Sequence, residues 1–452
     1  MHQHSFLAAC AQASTRLGVL SAGHVRGEIA ALSGLAVEVR GLAPLLSVGD
    51  RLALHPREGA AIAAEVVGFR SGLAQALAFG PLDGLGPGRT VLARLPPRAA
   101  SLAVSEGWIG RVVDALGRPL DGRGALPSGP SPRPLRAPPP PATARARLGP
   151  RIAFGVRALD AFVPSREGQR LGLFAGTGVG KSTLLAMLAG HADCDVTVLA
   201  LVGERGREVR DFIEDELGEA GLARSVVVVA TSDAPPLLRR EAAHAAMTVA
   251  EHFRDQGRRV LLLMDSLTRY CFALREIALA AGETPGTRGY PPSVFAELPC
   301  LLERAGPGPA ETGGRITGLF TVLVEGDDMN DPVADAVRGI LDGHVVLDRR
   351  IAERGRYPAI DVLRSLSRTA PGCAGAEEAE LARRARAVLA LHAELADLVR
   401  LGAYRPGADP AADEALALAP RIEAVLCQAR DAPCAIADGT AALRAALVAV
   451  QP

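Results

Sequence analysis

The sequence has few aromatic residues and no excess of either charge. Phe, Trp and Tyr make up 4% of the 452 residues, and Lys+Arg and Asp+Glu both number 50, which gives a formal net charge of zero at pH 7. A neutral chain has no overall field that draws it to nucleic acid or to an anionic membrane. With few rings available to stack on bases, the composition argues against nucleic-acid binding.

Long apolar runs and paired cysteines are also missing. The first residues, MHQHSFLAAC, have no basic region followed by a long apolar run, and no stretch reaches the roughly 18 uninterrupted apolar residues of a membrane span. We therefore expect a soluble, cytoplasmic protein with at most peripheral membrane association. The seven cysteines are scattered without a C-x-x-C pair, so we interpret them as reduced thiols rather than metal ligands or disulfides.

The pattern of the chain changes along its length, and 452 residues predict two or three domains. From 23 to 95, short alternating apolar runs broken by glycine predict a small β-barrel. From 96 to 370, apolar runs such as VTVLALV and VLLLMD alternate with helical stretches, which predicts an α/β domain with a parallel sheet covered on both faces. From 371 to 452 a helical domain is expected.

Three segments need separate treatment. Residues 127–150 contain PSGPSPRPLRAPPPP, which cannot propagate a helix, so we expect an extended connector that wraps around the core rather than packing into it. Residues 1–22 fit either a short amphipathic helix for a partner or a frayed end. In the helical domain, one apolar stripe is predicted, formed by Leu381, Ala385, Val388, Leu391, Leu395 and Leu398.

A glycine-rich loop, AGTGVGKST at residues 175–183, stands between an apolar strand and a helical stretch. Its three glycines let successive backbone N–H groups point at phosphate oxygens, at a helix N-terminus that favours anions. Lys181 supplies a positive charge for the β- and γ-phosphates, and Ser182 offers a hydroxyl to Mg²⁺. The first position of the usual G-x-x-x-x-G-K-[ST] pattern is alanine, but the phosphate-facing amides come from later positions. The predicted nucleotide-binding residues are Gly176, Thr177, Gly178, Val179, Gly180, Lys181, Ser182 and Thr183.

Two carboxylates are candidates for the chemistry of ATP hydrolysis. Asp265 ends the apolar run VLLLMD, at the carboxyl end of a predicted strand, where it can hold the Mg²⁺ shell through water. Glu204 follows the strand after the loop's helix and could take the proton from the water that attacks the γ-phosphate. The alternative role for Glu204 is to cap the next helix.

Several segments together resemble the catalytic ATPases of flagellar and virulence type III secretion, which are similar to the catalytic and nucleotide-binding subunits of rotary ATP synthases. The segments are GERGRE, LLLMDSLTRY, GYPPSVFAELP, TVLVEGDDMNDPVAD, ILDGHVVLDR and RYPAIDVLRSLSR. The resemblance covers roughly residues 20–452. It implies a RecA-like P-loop ATPase core, ATP and Mg²⁺ as cofactors, and a homohexameric ring.

The resemblance also implies roles for individual residues. Glu204 would be the catalytic carboxylate, Arg205 an orienting or phosphate-sensing residue, and Arg269 a residue close to the phosphates. Tyr357 matches the aromatic residue that stacks on adenine. Arg368 matches an arginine finger that reaches into the site of the neighbouring subunit. Tyr357 and Arg368 could instead be ordinary surface residues.

Four kinds of relative compete as interpretations: a flagellar export ATPase, a virulence-type secretion ATPase, a synthase subunit and a hexameric RNA translocase. The neutral charge and the few aromatics disfavour a translocase, and a non-catalytic ring subunit would be expected to lose Glu204 or Lys181. The segments EGDDMNDPVAD and GYPPSVFAELP disfavour a synthase β-subunit. The segments AGTGVGKST, RYPAIDVLRSLSRTAPG and VRLGAYRPGADPAADEAL favour the flagellar ATPase, with the virulence ATPase as the alternative.

The resemblance implies partners and a location as well. A stator-like regulatory protein would bind the segment at residues 6–20. Export-gate and stalk components, export substrates and their chaperones would be further partners. The protein would work in the cytoplasm, at the periphery of an export apparatus in the inner membrane, and would not bind nucleic acid.

Overall fold

Six short strands form a closed antiparallel barrel at the start of the described chain. The computed structural model describes residues 23–95, 100–324, 328 and 331–448. The barrel strands are β1 (Gly23–Ser33), β2 (Ala36–Arg40), β3 (Arg51–Leu54), β4 (Ile62–Arg70), β5 (Leu73–Ala78) and β6 (Thr90–Leu95). Their order is β1-β2-β5-β4-β3-β6, and β6 closes the barrel on β1. The predicted barrel is confirmed, whereas the partner-binding segment expected at residues 1–22 lies outside the described residues.

Two local features of the sequence favour the barrel: alternation of buried and exposed side chains along a strand, and one tight turn. On β2, Val37 and Val39 are buried in the barrel core, and Glu38 between them is partly exposed. Two residues, Ser71 (φ +50°) and Gly72 (φ +77°), join β4 to β5. Positive φ at both positions is what a two-residue hairpin turn needs to match the twist of its strands.

A nine-stranded, mostly parallel sheet forms the centre of a second compact unit, which begins at Ser101. The remaining strands are β7 (Ser101–Leu102), β8 (Val112–Asp114), β9 (Arg133–Pro134), β10 (Arg151–Ile152), β11 (Ser165–Arg166), β12 (Arg170–Ala175), β13 (Val196–Glu204), β14 (Ser225–Thr231), β15 (Arg259–Asp265), β16 (Gly306–Pro307), β17 (Arg315–Leu323), β18 (Gly343–Leu347) and β19 (Leu366–Ser367). The sheet order is β19-β18-β12-β17-β15-β13-β14-β8, with β16 beside β17. The predicted parallel α/β core is confirmed.

Helices connect the strands of this sheet. They are α1 (Arg157–Phe162), α2 (Lys181–His191), α3 (Gly206–Asp211), α4 (Gly218–Ala223), α5 (Pro236–Arg254), α6 (Leu267–Ala280), α7 (Pro292–Leu302), α8 (Pro332–Ile340) and α9 (Arg349–Glu353). A π-helical turn, Phe212–Leu217, separates α3 from α4. The central strands are buried over nearly their whole length, as their uninterrupted apolar sequences predicted.

Three helices follow: α10 (Ala376–Arg400), α11 (Pro410–Leu426) and α12 (Ile436–Ala446). Most of the predicted stripe on α10 is buried or partly buried, but its last member, Leu398, is 47% exposed. Arg384 on α10 pairs with Glu414 near the start of α11, so the last turns of α10 extend beyond the start of α11 and are not covered by it. These helices belong to the same compact unit as the sheet, and a separate domain from residue 371 stays a prediction.

Among the described helices, none is both long and apolar enough to cross a bilayer.

The connector at residues 127–150 contains no helix, as expected, but it does pack into the core. Leu135 is only 2% exposed, so the expectation that the connector merely wraps is wrong at this point. The backbone carbonyl of Leu135 also accepts a hydrogen bond of 2.7 Å from Arg304 Nη1. Burying an apolar side chain and satisfying its backbone carbonyl stabilises a segment that has no secondary structure of its own.

Arg304 is the centre of a buried polar group that we call the Arg304 network. Its guanidinium donates to both carboxylate oxygens of Glu251 at 3.0 and 2.7 Å, to Thr248 Oγ1 at 3.0 Å and to His244 Nδ1 at 3.3 Å, as well as to Leu135. All five N–H donors of the guanidinium therefore have acceptors. Burial lowers the pKa of His244 to about 3, so the ring is neutral and can accept.

Candidate nucleotide-hydrolysis site

The glycine-rich loop lies at the carboxyl end of β12 and leads directly into α2. Gly178 (φ +77°) and Gly180 (φ +88°) have left-handed backbone conformations, which residues with a Cβ atom rarely adopt. Gly180 is the N-cap of α2, so the unpaired N–H groups of the first helical turn begin here. Val179 differs from its neighbours because its side chain is buried and anchors the loop to the core.

A cleft of about 460 Å³ lies over the loop. This volume is in the range of small-molecule binding sites. Most of the predicted phosphate-binding residues line the cleft, together with both predicted arginines that follow β13 and β15. The lining residues are Gly176, Thr177, Gly178, Gly180, Lys181, Ser182, Thr183, Glu204, Arg205, Glu208, Arg269 and Leu323.

Four side chains from neighbouring elements meet at the cleft, and we call them the Lys181 cluster: Lys181, Asp265, Glu204 and Thr321. Lys181 Nζ donates to Asp265 Oδ2, and it lies 3.7 Å from Glu204 Oε1. Thr321 Oγ1 donates to Asp265 Oδ1 at 2.7 Å. The cluster forms because β12, β17, β15 and β13 are consecutive in the sheet and all end at the same edge. Lys181 is the only lysine in the sequence.

A local irregularity in β13 places Glu204. The register against β14 shifts between Val202 and Glu204, and the residue between them, Gly203, has φ +73°. A Cβ atom at Gly203 would lie 2.8 Å from Cβ of Arg269, which is too close for a real side chain. The bulge therefore requires glycine, and it brings the last residue of the strand to the cleft.

The environment of Glu204 suits a proton acceptor. Its side chain is 16% exposed, and its Oε1 atom has no hydrogen-bond partner among the described residues. Burial raises the pKa of Glu204, while Lys181 opposes this and the nearby carboxylate of Asp265 adds to it. A partly exposed carboxylate that has a raised pKa and lines a cleft can bind a water molecule and take its proton.

The arginines predicted for the site differ in their surroundings. Arg269 lines the cleft, and its Nε atom is buried without a hydrogen-bond partner among the described residues. Arg205 also lines the cleft, but its side chain is 77% exposed and pairs with Glu208 at 2.7 Å. Arg269 is thus partly buried beside the cleft, whereas Arg205 lies at its exposed rim.

Tyr357 lies beside the phosphate loop, and Arg368 does not. Two ring carbons of Tyr357 lie 3.4 Å from the point that a Cβ atom would occupy at Gly180. Arg368 follows β19, and its main-chain N–H donates to Asp342, whose own N–H donates to Arg170 at the start of β12. Because the phosphate loop lies at the other end of this six-residue strand, Arg368 is about 20 Å from it within one chain.

Sequence reasoning missed two residues of the site. Thr321 orients Asp265, but it stands in the apolar strand β17, where no local pattern marks it. Arg349 Nη2 donates to the carbonyl of Thr177 at 3.0 Å and so braces the phosphate loop. Arg349 is the last residue of ILDGHVVLDR, one of the segments that carry the family resemblance, but the sequence pattern did not indicate a role for it.

Oxygen atoms suitable for Mg²⁺ are present beside the loop. Ser182, Asp265 and Glu204 line a recess of about 80 Å³. A hydroxyl and carboxylates are the hard oxygen donors that Mg²⁺ prefers, and the ion usually keeps several water ligands. The residues present therefore fit a magnesium ion that accompanies a nucleotide.

Comparisons with known proteins agree with this geometry. The profile of the ATP synthase alpha/beta family, nucleotide-binding domain, matches residues 155–367, and that of the T3SS EscN ATPase C-terminal domain matches residues 374–445. A flagellum-specific ATP synthase of Caulobacter vibrioides is 53% identical over 418 residues, which cover 92% of this chain and 94% of the relative. A type 3 secretion system ATPase of Xanthomonas euvesicatoria is 48% identical over 410 residues, or 90% of each chain.

Solved structures give the same result. The assembled ATPase EscN from the type III secretion system of enteropathogenic E. coli matches with a TM-score of 0.86 at 38% identity, covering 93% of this chain and 100% of that chain. EscN in complex with its central stalk EscO matches with a TM-score of 0.84, at the same identity and coverage. The chain therefore belongs to the family of flagellum-specific ATP synthases and type 3 secretion system ATPases.

Proposed function

We propose that this chain is the ATP-hydrolysing motor of a flagellar protein export apparatus. The observation that carries the proposal is the Lys181 cluster, in which the only lysine, a strand-end aspartate and a glutamate with an unused oxygen meet beside a phosphate-binding loop. Its family supports ATP hydrolysis as the reaction. A virulence-type secretion ATPase is the alternative.

The roles of the site residues follow from their positions. The loop amides and Lys181 bind the phosphates, and Arg269 adds a second fixed positive charge. Glu204 orients the attacking water and takes its proton. Ser182 and Asp265 would hold Mg²⁺, which would neutralise phosphate charge. Tyr357 stacks on the adenine ring, and Arg205 senses the phosphates as the site fills and empties.

A homohexameric ring completes the site. Arg368 lies at the opposite edge of the sheet from its own phosphate loop, so it can serve as a finger only for a neighbouring subunit. The solved EscN is an assembled ATPase, which supports the same arrangement here. A positive charge supplied from a neighbour stabilises the transferring phosphoryl group and is worth about 10³ to 10⁵ in rate.

The proposed partners are inferred from the relatives of this chain. EscN was solved with its central stalk EscO, and we propose an equivalent stalk component for this chain. Export-gate components, substrates with their chaperones, and a stator-like protein at residues 6–20 complete the set. The work would be done in the cytoplasm at the inner membrane, with no nucleic-acid partner.

Mixed rings test the shared site directly. Lys181→Ala and Arg368→Ala chains should each be inactive, and a mixture should recover part of the turnover, because one interface combines an intact loop with an intact finger. Specific activity of the unsubstituted chain should also rise with protein concentration. A mixture as inactive as its parts, together with activity that does not depend on concentration, would contradict the proposed ring.

A deletion strain distinguishes the two export systems. Loss of the gene should abolish flagellar filaments and swimming, while secretion of effector proteins by any virulence system continues. The opposite pattern would favour the alternative function.

A further inference from the structure

The segment that carries Tyr357 lies between the nucleotide cleft and the C-terminal helices. The ring of Tyr357 flanks Gly180 of the phosphate loop, and the residue is 45% exposed, so a face of the ring is available for stacking. The main chain of the same residue contacts the C-terminal helical region, because its carbonyl accepts a hydrogen bond of 2.9 Å from the N–H of Gln428. Gln428 follows α11.

Arg356 ties this segment to α11 through its side chain. Its Nε atom lies 2.8 Å from Glu423 Oε2, and its Nη1 atom donates to the carbonyl of Pro358 at 3.1 Å. One guanidinium therefore holds the residue that follows Tyr357 and a carboxylate on the neighbouring helix. The Arg356 side chain is only 9% exposed. Burial lowers its pKa, and Glu423 opposes this, so the buried cation depends on its partner.

Gln428 fixes the loop after α11 to the sheet unit. Its side-chain carbonyl accepts from the N–H of Arg157 at 2.8 Å, and its side-chain amide donates to the carbonyls of Gly155 and Ala432 at 2.8 and 2.7 Å. The residue is 5% exposed. The side chain of Gln428 thus makes three hydrogen bonds, and these fix the position of the backbone N–H that Gln428 donates to Tyr357.

We propose that Arg356, Glu423 and Gln428 form a base clamp, which positions Tyr357 against the adenine end of the nucleotide site and makes the C-terminal helices part of nucleotide binding. The clamp rests on the proposed role of Tyr357. Its members are positioning residues, since they touch the segment and not the nucleotide. A shift of α11 would move Tyr357 relative to the phosphate loop and so change ATP affinity without touching the Lys181 cluster.

Glu423→Gln is the most informative change, because it removes one charge from a half-exposed position and should not unfold the chain. We expect KM for ATP to rise about threefold with kcat nearly unchanged, the size of effect that one partly exposed ion pair can transmit. Glu414→Gln is a matched control. Glu414 lies on the same helix with the same side-chain exposure of 45%, and it pairs with Arg384 at 2.5 Å, away from Tyr357.

A double substitution separates positioning from general stability. If Glu423 acts through Tyr357, then Glu423→Gln should leave KM unchanged in a Tyr357→Ala background, because there is no ring left to position. Melting temperatures of all variants check that the fold is intact. Arg356→Lys provides a second probe, since lysine keeps the charge but cannot contact Glu423 and Pro358 with one planar group.

The outcomes are distinct. The clamp is supported if Glu423→Gln and Arg356→Lys raise KM only where Tyr357 is present, and Glu414→Gln does not. It is overturned if KM is unchanged, or if it rises by the same factor with and without Tyr357. If Tyr357→Ala itself leaves KM for ATP unchanged, the adenine-stacking part of the proposed function fails, which is a different result.

Discussion

The Lys181 cluster and the Arg304 network both bury charged side chains in the same unit, but they use their hydrogen-bonding groups to different extents. In the Arg304 network, every N–H of the guanidinium has an acceptor, and Arg304 is only 1% exposed. In the Lys181 cluster, Glu204 Oε1 lies 3.7 Å from Lys181 Nζ but has no hydrogen-bond partner among the described residues, and the neighbouring Arg269 Nε has none either. These groups border a cleft.

This difference distinguishes buried charged side chains that stabilise the fold from those that take part in chemistry. A satisfied network holds a connector and two helices together and has no capacity for a ligand. Charged residues that line a cleft and keep some hydrogen-bonding groups unsatisfied retain capacity to contact water, phosphate and a metal ion, at a cost in stability. The two clusters should therefore respond in opposite ways to substitution, and the following predictions are ordered from the largest expected effect to the smallest.

Replacing the lysine should destroy activity and spare the fold. Lys181→Met should reduce ATP turnover about 10⁴-fold, the range expected for a cation placed on a transferring phosphoryl group. The melting temperature should stay close to that of the original chain, because the side chain ends in a cleft. Steady-state hydrolysis and thermal melts measure the two effects. Turnover above a tenth of the original rate would remove Lys181 from the mechanism.

Substitution of Arg304 should lower the stability of the fold and leave the activity nearly unchanged. Arg304→Met removes both hydrogen bonds that the guanidinium donates to Glu251 and leaves Arg254, 4.0 Å away, as the only cation beside this buried carboxylate among the described residues. We expect a loss of about 3 kcal/mol in the free energy of unfolding. The activity per folded molecule should change little at low temperature. Arg383→Met is the control, because its ion pair with Glu380 is 71% and 60% exposed and should matter little. Equal urea midpoints for the two variants would show that the network is not structural.

Removing the proton acceptor should slow chemistry and change its pH dependence. Glu204→Gln should lower kcat about 10² to 10³-fold while ATP still binds. The carboxylate must be ionised to act and its pKa is raised, so kcat of the original chain should fall with acid at a pH above the ordinary glutamate value of about 4.3. This acidic fall should be absent in the variant. Glu214→Gln, an exposed pair with Arg210, controls for loss of charge.

Asp160 is another buried carboxylate with an oxygen that has no hydrogen-bond partner among the described residues. Asp160 Oδ1 accepts from the N–H of Phe154 at 2.8 Å, its Oδ2 has no partner among the described residues, and burial raises its pKa to about 6. A raised pKa means that the folded state binds the proton more tightly than the unfolded state. The stabilisation is therefore complete below about pH 4 and is lost as the pH rises through about 6.

The pH dependence of the unfolding free energy tests whether the pKa of Asp160 is raised. The ionised carboxylate of Asp160 should cost about 3 kcal/mol or less above pH 6, since each pKa unit corresponds to about 1.4 kcal/mol. Asp160→Asn removes the charge, so the difference in unfolding free energy between the variant and the original chain should grow in favour of the variant from pH 4 to pH 7. A constant difference over that range would contradict the raised pKa.

The sequence was informative where function depends on local backbone, and uninformative where it depends on distant contacts. A strand, a loop and a helix are contiguous, so the phosphate loop, Asp265 and Glu204 could be located from residue patterns. Thr321 and Arg349 could not, because their roles come from the sheet order and from a helix far along the chain. The burial of Leu135 and the exposure of Leu398 likewise depend on which neighbours are present. The proposed role of Arg368 requires a neighbouring subunit, which one chain cannot supply.

The presence of a single lysine permits a direct test of the claim that the Lys181 cluster binds the phosphates of ATP. A small amine-directed reagent has two targets in this chain, Lys181 and the N-terminal α-amino group, which serves as the internal reference. Peptide mass spectrometry would follow the rate of modification at each target with increasing ATP and Mg²⁺. We predict that nucleotide slows modification of Lys181 at the concentrations that saturate hydrolysis and leaves the α-amino group unaffected. Equal modification of Lys181 with and without saturating nucleotide would contradict the account.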